Sequence, residues 1–477
     1  MPKQDLFGVG TLPRKMDLMN AQEYLDHYRA AYALHNETYP NDFRVLPPAY
    51  SDSAWAANGN PDTKWQDLIN NTQAFKQNHY LSISGGSRSS TFMFSANYIA
   101  EDGVLITTNR DQFNVRLNST HSIGKRIRIG ENFAFTVANG RNAGDRWIDA
   151  AIASPIMPVF NPAAEKGYQG PVPAITGAND RTNPLAELEL PENTYTDNNA
   201  FGNVYFELDL LEGLTFRTVF GVTYFDGRSE NWVPKYELEQ RSNPTASLAL
   251  GDNLSQGWQF DKILRYDKTF GDHTIGALAG HSAEKRFFQQ ITASTRDFRW
   301  ENLRTIAGGN PEFTSSSQNE ATRTGDAYFG RISYDYAGKY LFTGSVRRDG
   351  SSRFGRNFRY GVFPSFSAGW KVNGDFFKNT PWMDVLKLRF GYGQTGNLPG
   401  RDFLYDTFIS SFPEHVYTLG VDDRVVFGAA PFYNFGSPNL KWESAIMTNF
   451  GFDFIGLNNK LELYVEYFIK NQNDLIT

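Results

Sequence analysis

Short and long connections alternate along this chain between segments that look like β-strands, and this regularity constrains the fold more than any other feature. One alternating segment runs over 199–211, and a second returns over 214–225 after the Glu212-Gly213 turn. Similar tight reversals occur at 124–125, 271–272, 337–339 and 456–459. The intervening connections are long, at 12–77, 140–198, 227–254, 287–321 and 396–445, or moderately long, at 101–110 and 349–358. Long and short connections at opposite ends are typical of an outer-membrane β-barrel.

Each strand-like segment has one apolar face and one polar face. In the segment that begins at Leu386, the residues Leu388 and Phe390 alternate with Lys387 and Arg389. Segments of ten or more residues match a tilted bilayer crossing, whereas strands of soluble sheets are commonly about five or six residues long. The sequence therefore predicts an all-β fold, a transmembrane antiparallel β-barrel whose charged faces line a lumen.

We predict about fifteen strands, near 4–11, 78–86, 91–100, 111–122, 126–139, 199–211, 214–226, 255–270, 273–286, 322–336, 340–348, 359–372, 384–395, 446–456 and 460–471. Bacterial barrels have even strand numbers, and the first residues contain no apolar core of a secretory signal. We therefore expect 1–477 to be one outer-membrane barrel domain that is incomplete at both ends.

One helix is predicted outside the strands, over 18–35 in the first long connection. Its apolar residues follow a helical period. Asn20 is suited to cap its first turn, and Glu23 lies three residues later, which is the spacing of a capping box.

Composition excludes several classes of function. The net charge is −6 without a basic stripe, so nucleic acid is not an expected partner. Cysteine is absent, and the seven histidines form no close ligand pair, so no metal site is expected. The Gly391–Gly396 segment has the glycine spacing of a dinucleotide motif, but a loop follows it where a helix is needed. We expect no cofactor and no catalytic residues.

Two sets of side chains are candidates for contact with a solute. Tryptophans in the long connections offer flat rings that could stack on sugars: Trp55, Trp65, Trp147, Trp232, Trp300 and Trp442. Packing within the loops is the alternative role for each ring, as is an interfacial aromatic girdle. The polar strand faces offer lumen-lining candidates, which are Arg116, Arg389 and Lys470.

An ordered set of motifs resembles a known family. In chain order they are Met16–Tyr24, Trp65–Asp67, Asn78–Ser87, Gly344–Gly355, Phe363–Trp370, Leu388–Asn397 and Pro438–Glu443. Together they resemble the barrel portion of the SusC/RagA family of TonB-dependent outer-membrane transporters.

The resemblance implies a 22-stranded barrel, an N-terminal plug, and a segment before the plug that contacts the TonB complex. It also implies a surface lipoprotein partner of the SusD type, and active import of oligosaccharides or peptides. No segment of this sequence matches the signal, the TonB contact or the plug. A passive outer-membrane channel remains an alternative, as does a surface protein that binds or hydrolyses glycans.

Overall fold

Fifteen long strands form a single antiparallel sheet in chain order. The computed structural model describes residues 3–177, 179–377, 380–407, 416–418, 425–427 and 436–475. The strands are β1 (Lys3–Gly10), β2 (Ala74–Gly86), β3 (Ser90–Asp102), β4 (Asn109–Ile123), β5 (Ile127–Arg141), β6 (Glu192–Leu211), β7 (Leu214–Val233), β8 (Ser247–Phe270), β9 (His273–Arg296), β10 (Ser315–Tyr336), β11 (Tyr340–Ser351), β12 (Tyr360–Lys371), β13 (Met383–Asn397), β16 (Glu443–Gly456) and β17 (Leu461–Asn473). Two short strands, β14 (Val416–Thr418) and β15 (Val425–Phe427), pair only with each other. The fifteen predicted strands and the antiparallel fold are confirmed.

The middle strands are longer than predicted. Strands β8 and β9 each contain 24 residues, and their pairing continues as far as Ser247 opposite Arg296. About ten residues suffice to cross a bilayer, so these hairpins extend well beyond it. The prediction of loops over 227–254 and 287–321 was therefore wrong in part. Its cause is the run of turn-forming residues Gly251-Asp252-Asn253, which interrupts the apolar alternation of β8 between Leu250 and Leu254.

Long connections lie at one end of the sheet, which we call the extracellular end, and short turns lie at the other. The sheet register separates the two faces of every strand. Leu208 lies opposite Phe216, which in turn lies opposite Leu264, and this outer face is apolar. The same face continues across the last strands, where the rings of Phe390 and Phe450 are 5.1 Å apart. The other face, which we call the lumen face, carries most of the charges.

In the part of the chain that the structure describes, helices occur only in the connections. They are α1 (Ala21–Thr38), α2 (Asp52–Ala57), α3 (Trp65–Ile69), α4 (Trp147–Ile152), α5 (Pro173–Thr176), α6 (Pro184–Glu189) and α7 (Asn373–Phe376). The capping box of α1 is confirmed, because Asn20 accepts from the Glu23 amide at 2.9 Å and Glu23 accepts from the Asn20 amide at 3.0 Å. The six shorter helices span fewer than two turns and show no readable period.

No helix in the described part of the chain has the length and apolar character needed to cross a membrane.

The first and third extracellular connections, 11–73 and 142–191, pack together into one buried body, which we call the loop cluster. Trp65 in α3 is 2% exposed, packs with Met157 and Leu188, and donates from Nε1 to the carbonyl of Ser154 at 3.0 Å. Thr63 donates to the carbonyl of Met157 at 2.6 Å. Two segments that are far apart in sequence thus form one small core outside the sheet.

Candidate functional site

The turn end of the lumen face carries a network of opposite charges. Arg128 donates from Nε to Glu207 at 2.6 Å and pairs with Asp209 at 3.1 Å. Arg217 lies 3.6 Å from the same Glu207 carboxylate. Arg128, Glu207 and Arg217 line a cavity of about 630 Å³, together with Arg265. This end of the lumen face therefore presents both hydrogen-bond donors and hydrogen-bond acceptors to a bound group.

A second cavity lies higher on the lumen face, near the extracellular end. It measures about 480 Å³ and is lined by Glu284, Arg347, Asp349, Asn397 and Trp442. Arg347 donates to Asp349 at 2.7 Å, so part of its charge is already balanced. The combination of an aromatic ring, an amide and carboxylates suits polar solutes with many hydroxyl or amide groups.

The three lumen-lining candidates lie on the predicted face. Arg116 is opposite Ser95, on the face away from Leu117, and Lys470 is opposite Met447. Arg389 donates from Nε to Asp453 at 2.8 Å, across β13 and β16. They lie on different strands and form no common cluster, and their role in a solute path stays a prediction.

The six tryptophans do not form one site. The ring of Trp300 is 59% exposed and has the cation of Arg299 4.8 Å from its centroid. Trp65 and Trp232 are 2% and 1% exposed. The remaining three are partly buried: Trp147 packs on the core around Trp65, Trp55 on the core around α1, and Trp442 on strand β12. Trp300 thus offers the largest free ring surface, and the role of the set as ligand contacts stays a prediction.

Packing explains several of the sequence motifs. Phe354 is fully buried, and its ring centroid lies 4.9 Å from that of Trp442. Trp442 also contacts Phe363 at 5.4 Å, and a side chain at Gly396 would collide with Phe363. Four motifs therefore meet in one aromatic group, which we call the aromatic clamp. Sequence reasoning missed it because the contacts join residues about 90 positions apart.

An ion cluster lies beside the aromatic clamp. Asp402 accepts from Arg323 at 3.0 Å and from Arg353 at 3.1 Å, and all three are at least half-buried. Arg353 also donates to the carbonyl of Pro399 at 2.7 Å. The base of the connection after β13 is thereby attached to β10 and to the connection after β11.

The loop cluster encloses a buried carboxylate. Burial raises the pKa of Glu187, and the cation of Arg146, 3.2 Å away, only partly offsets that effect. Burial also raises the pKa of the nearby Tyr236 hydroxyl. A cavity of about 460 Å³ lies between α1 and α3 in the same cluster.

Among the described residues, no three His, Asp or Glu side chains gather closely enough to hold a metal ion.

A family profile and several relatives match the chain. The profile described as TonB dependent receptor-like, beta-barrel matches residues 159–477, about two thirds of the chain. TonB-dependent receptor P3 of Formosa agariphila is 30% identical over 91% of this chain and 43% of its own length. TonB-dependent receptor SusC of Bacteroides thetaiotaomicron is 27% identical over 90% of this chain and 44% of its own length.

The solved RagAB peptide transporter has the same fold. It superimposes with a TM-score of 0.77 at 20% identity, covering 99% of this chain and 54% of that chain. The chain spans less than half the length of the curated relatives that it matches. The profile, the relatives and the fifteen-stranded sheet agree: this chain belongs to the TonB-dependent receptor-like β-barrel family of the outer membrane and is similar, within it, to SusC and RagA.

Proposed function

We propose that the chain forms the barrel of an outer-membrane importer that takes up oligosaccharides or peptides. The observation that carries this proposal is the sheet itself, with an apolar outer face and a lumen face that carries charge networks at its turn end. A solute would bind among the extracellular connections and at the 480 Å³ cavity, then pass along the lumen face. We regard 1–477 as one barrel domain, because all fifteen long strands belong to one sheet.

The proposal includes two partners. A surface lipoprotein of the SusD type would sit over the extracellular connections, and the TonB complex would supply energy through another part of the transporter. Both follow from the similarity to SusC and to the RagAB peptide transporter. We propose no bond chemistry, because the relatives are named as receptors and transporters.

The test uses the bacterium that carries the gene. Deletion should abolish uptake of one class of fluorescently labelled solute, either oligosaccharides or peptides, and a plasmid copy should restore it. Uptake should also disappear when TonB is deleted. Uptake that persists without TonB would contradict active import and indicate a passive channel. Glycan hydrolysis by the purified protein would indicate a surface enzyme.

A second experiment tests the solute path. The chain contains no cysteine, so a single introduced thiol can be labelled without background. Arg116→Cys should react with a membrane-impermeant maleimide, and the transported solute should slow that reaction. The neighbouring Val115→Cys is the matched control, because Val115 lies on the outer face and lipid should shield it. Equal labelling of both variants would contradict the assignment of the faces.

A further inference from the structure

Lys262 and Arg348 stand on the largely apolar outer face of the middle strands. The other lysines on this face of β8–β11, Lys268 and Lys285, lie nearer the turns and nearer the extracellular end, respectively. Lys262 on β8 lies opposite His281 on β9, and His281 lies opposite Tyr328 on β10. Tyr328 in turn lies opposite Arg348 on β11. These four residues form one row across the outer face, and both cations are exposed.

The row is unusual within this molecule. Strand neighbours on the same face are apolar, such as Leu264 and Val346 two residues nearer the turns. On β12, β13, β16 and β17, the described outer face carries no lysine or arginine. A lipid-facing cation is costly at the centre of a bilayer and is tolerated near its surfaces. The depth of the row therefore decides how it can be used.

Register gives that depth. Lys262 precedes the turn residue Gly271 by nine positions, and Arg348 follows the turn residue Lys339 by nine. A strand tilted by about 40° rises about 2.5 Å per residue, which puts the row about 22 Å above the turns. The apolar band of such barrels is about 25 Å tall, so the row lies just below its upper edge, where long lysine and arginine side chains reach the outer-leaflet headgroups.

Neither cation is neutralised by the protein. Among the described residues, the side chains of Lys262 and Arg348 form no ion pair and no hydrogen bond. Their recorded contacts are aromatic: Lys262 lies 4.9 Å from the ring of Phe260, and Arg348 lies 3.8 Å from the ring of Tyr360. The Asp326 carboxylate on the same face is already held by His281 at 2.7 Å. Both cations are therefore available to an external anion.

The surface between the cations has low relief. On the turn side of the row, Ala277 and Ala279 on β9 and Gly330 on β10 leave a shallow surface between the larger Leu264 and Ile332. An acyl chain can lie against small side chains between larger ones, directly beneath a headgroup held above. Arginine and lysine are the side chains that commonly bind phosphate.

We propose that Lys262 and Arg348, on either side of the His281–Asp326 pair, bind the phosphate groups of an anionic lipid in the outer leaflet. The row lies near the upper edge of the apolar band, its two cations have no protein anion, and apolar surface continues below it. This site is separate from the lumen face and does not depend on what the barrel transports.

The test compares lipid binding by the folded, detergent-purified protein and two double variants. Lys262→Gln with Arg348→Gln removes the proposed site. Lys268→Gln with Arg347→Gln is the charge-matched control, because Lys268 lies on the outer face at the opposite, turn end of β8 and Arg347 lies on the lumen face. Diphosphoryl lipid A, the same lipid without phosphates, and inorganic phosphate are titrated, and binding is measured by native mass spectrometry.

We expect the site variant to lose at least tenfold in affinity for the diphosphoryl lipid, while the control matches the wild type. The dephosphorylated lipid should bind all three proteins equally weakly. Equal affinity of the site variant and the wild type would overturn the proposal. Inorganic phosphate that binds as tightly as the lipid would also overturn it. A site variant with a smaller dimer fraction but unchanged lipid binding would overturn it as well, and would assign the row to contact with a second copy of the chain. If the glutamine variant does not fold, Lys262→Arg with Arg348→Lys must retain the lipid.

Discussion

Replacing Trp232 by alanine should open the extracellular end of the β7–β10 region without affecting the sheet in the membrane. The Trp232 ring is 1% exposed, packs edge-on against Phe298 at 4.9 Å, and has the Arg304 guanidinium 4.8 Å from its centroid. Ala246 and Leu248 complete this small core. Truncating a buried tryptophan costs about 3–5 kcal/mol. Of that, the aromatic pair accounts for about 0.5–1.5 kcal/mol and the cation–π contact for about 0.5–1 kcal/mol.

Hydrogen–deuterium exchange measures this cost where it occurs. Trp232 lies beyond the membrane, so its loss should favour local opening of 234–246 and 297–314. A local loss of about 3 kcal/mol corresponds to roughly 100-fold faster exchange of the protected amides in those segments. The amides of β16 and β17, on the far side of the sheet, should exchange at the wild-type rate.

Trp300→Ala is the control for this experiment. Trp300 is 59% exposed in the same region, so its truncation should change local stability by no more than about 0.5 kcal/mol. The reasoning is refuted if Trp232→Ala leaves exchange of these segments unchanged. It is also refuted if Trp300→Ala accelerates exchange as much, since burial would then not determine the cost.

Three further predictions concern the connections. Asn20→Ala should lower the stability of α1 by about 1 kcal/mol and speed amide exchange in its first turn, whereas Asn20→Ser should retain the cap. Equal exchange in both variants would contradict the capping role of Asn20. Because burial raises the pKa of Glu187, its protonated form favours the folded loop cluster. That contribution is present below the unfolded pKa of about 4.3 and is lost as the pH rises through the folded pKa. Glu187→Gln should therefore flatten the dependence on pH of the proteolysis rate in 142–191. An unchanged dependence would show that Glu187 does not cause it. Phe354→Ala should lower stability by about 3–5 kcal/mol and shift the fluorescence of Trp442 towards that of a solvated indole. An unshifted spectrum would show that the aromatic clamp does not depend on Phe354.

The membrane-crossing part of the fold could be predicted from the sequence because lipid imposes a two-residue period. Alternation of Leu388 and Phe390 with Lys387 and Arg389 is readable wherever one face meets lipid. In the extensions of β8 and β9, polar residues such as Asp252 interrupt that contrast, so pattern alone assigned them to loops. The α1 capping box was predictable because it is local, with both partners within three residues.

The loop cluster and the aromatic clamp could not be predicted in this way. Trp65 and Ser154 are 89 residues apart, and no periodic signal connects them. The same limit applies to the tryptophans as ligand candidates. Residue type suggested a stacking role for Trp232 as much as for Trp300, and only the packing shows that one is buried and the other exposed.

The length of the β8–β9 hairpin has a consequence for how the protein meets its surroundings. If about ten of the 24 residues in each strand cross the bilayer, about fourteen remain outside, which amounts to about 35 Å at 2.5 Å per residue. Paired strands are stiff, so the hairpin acts as a spacer of fixed length. The outer ends of the two strands, at Ser247 and Arg296, then meet antibodies, phages or neighbouring surface proteins at a constant height, above the reach of short lipid headgroups.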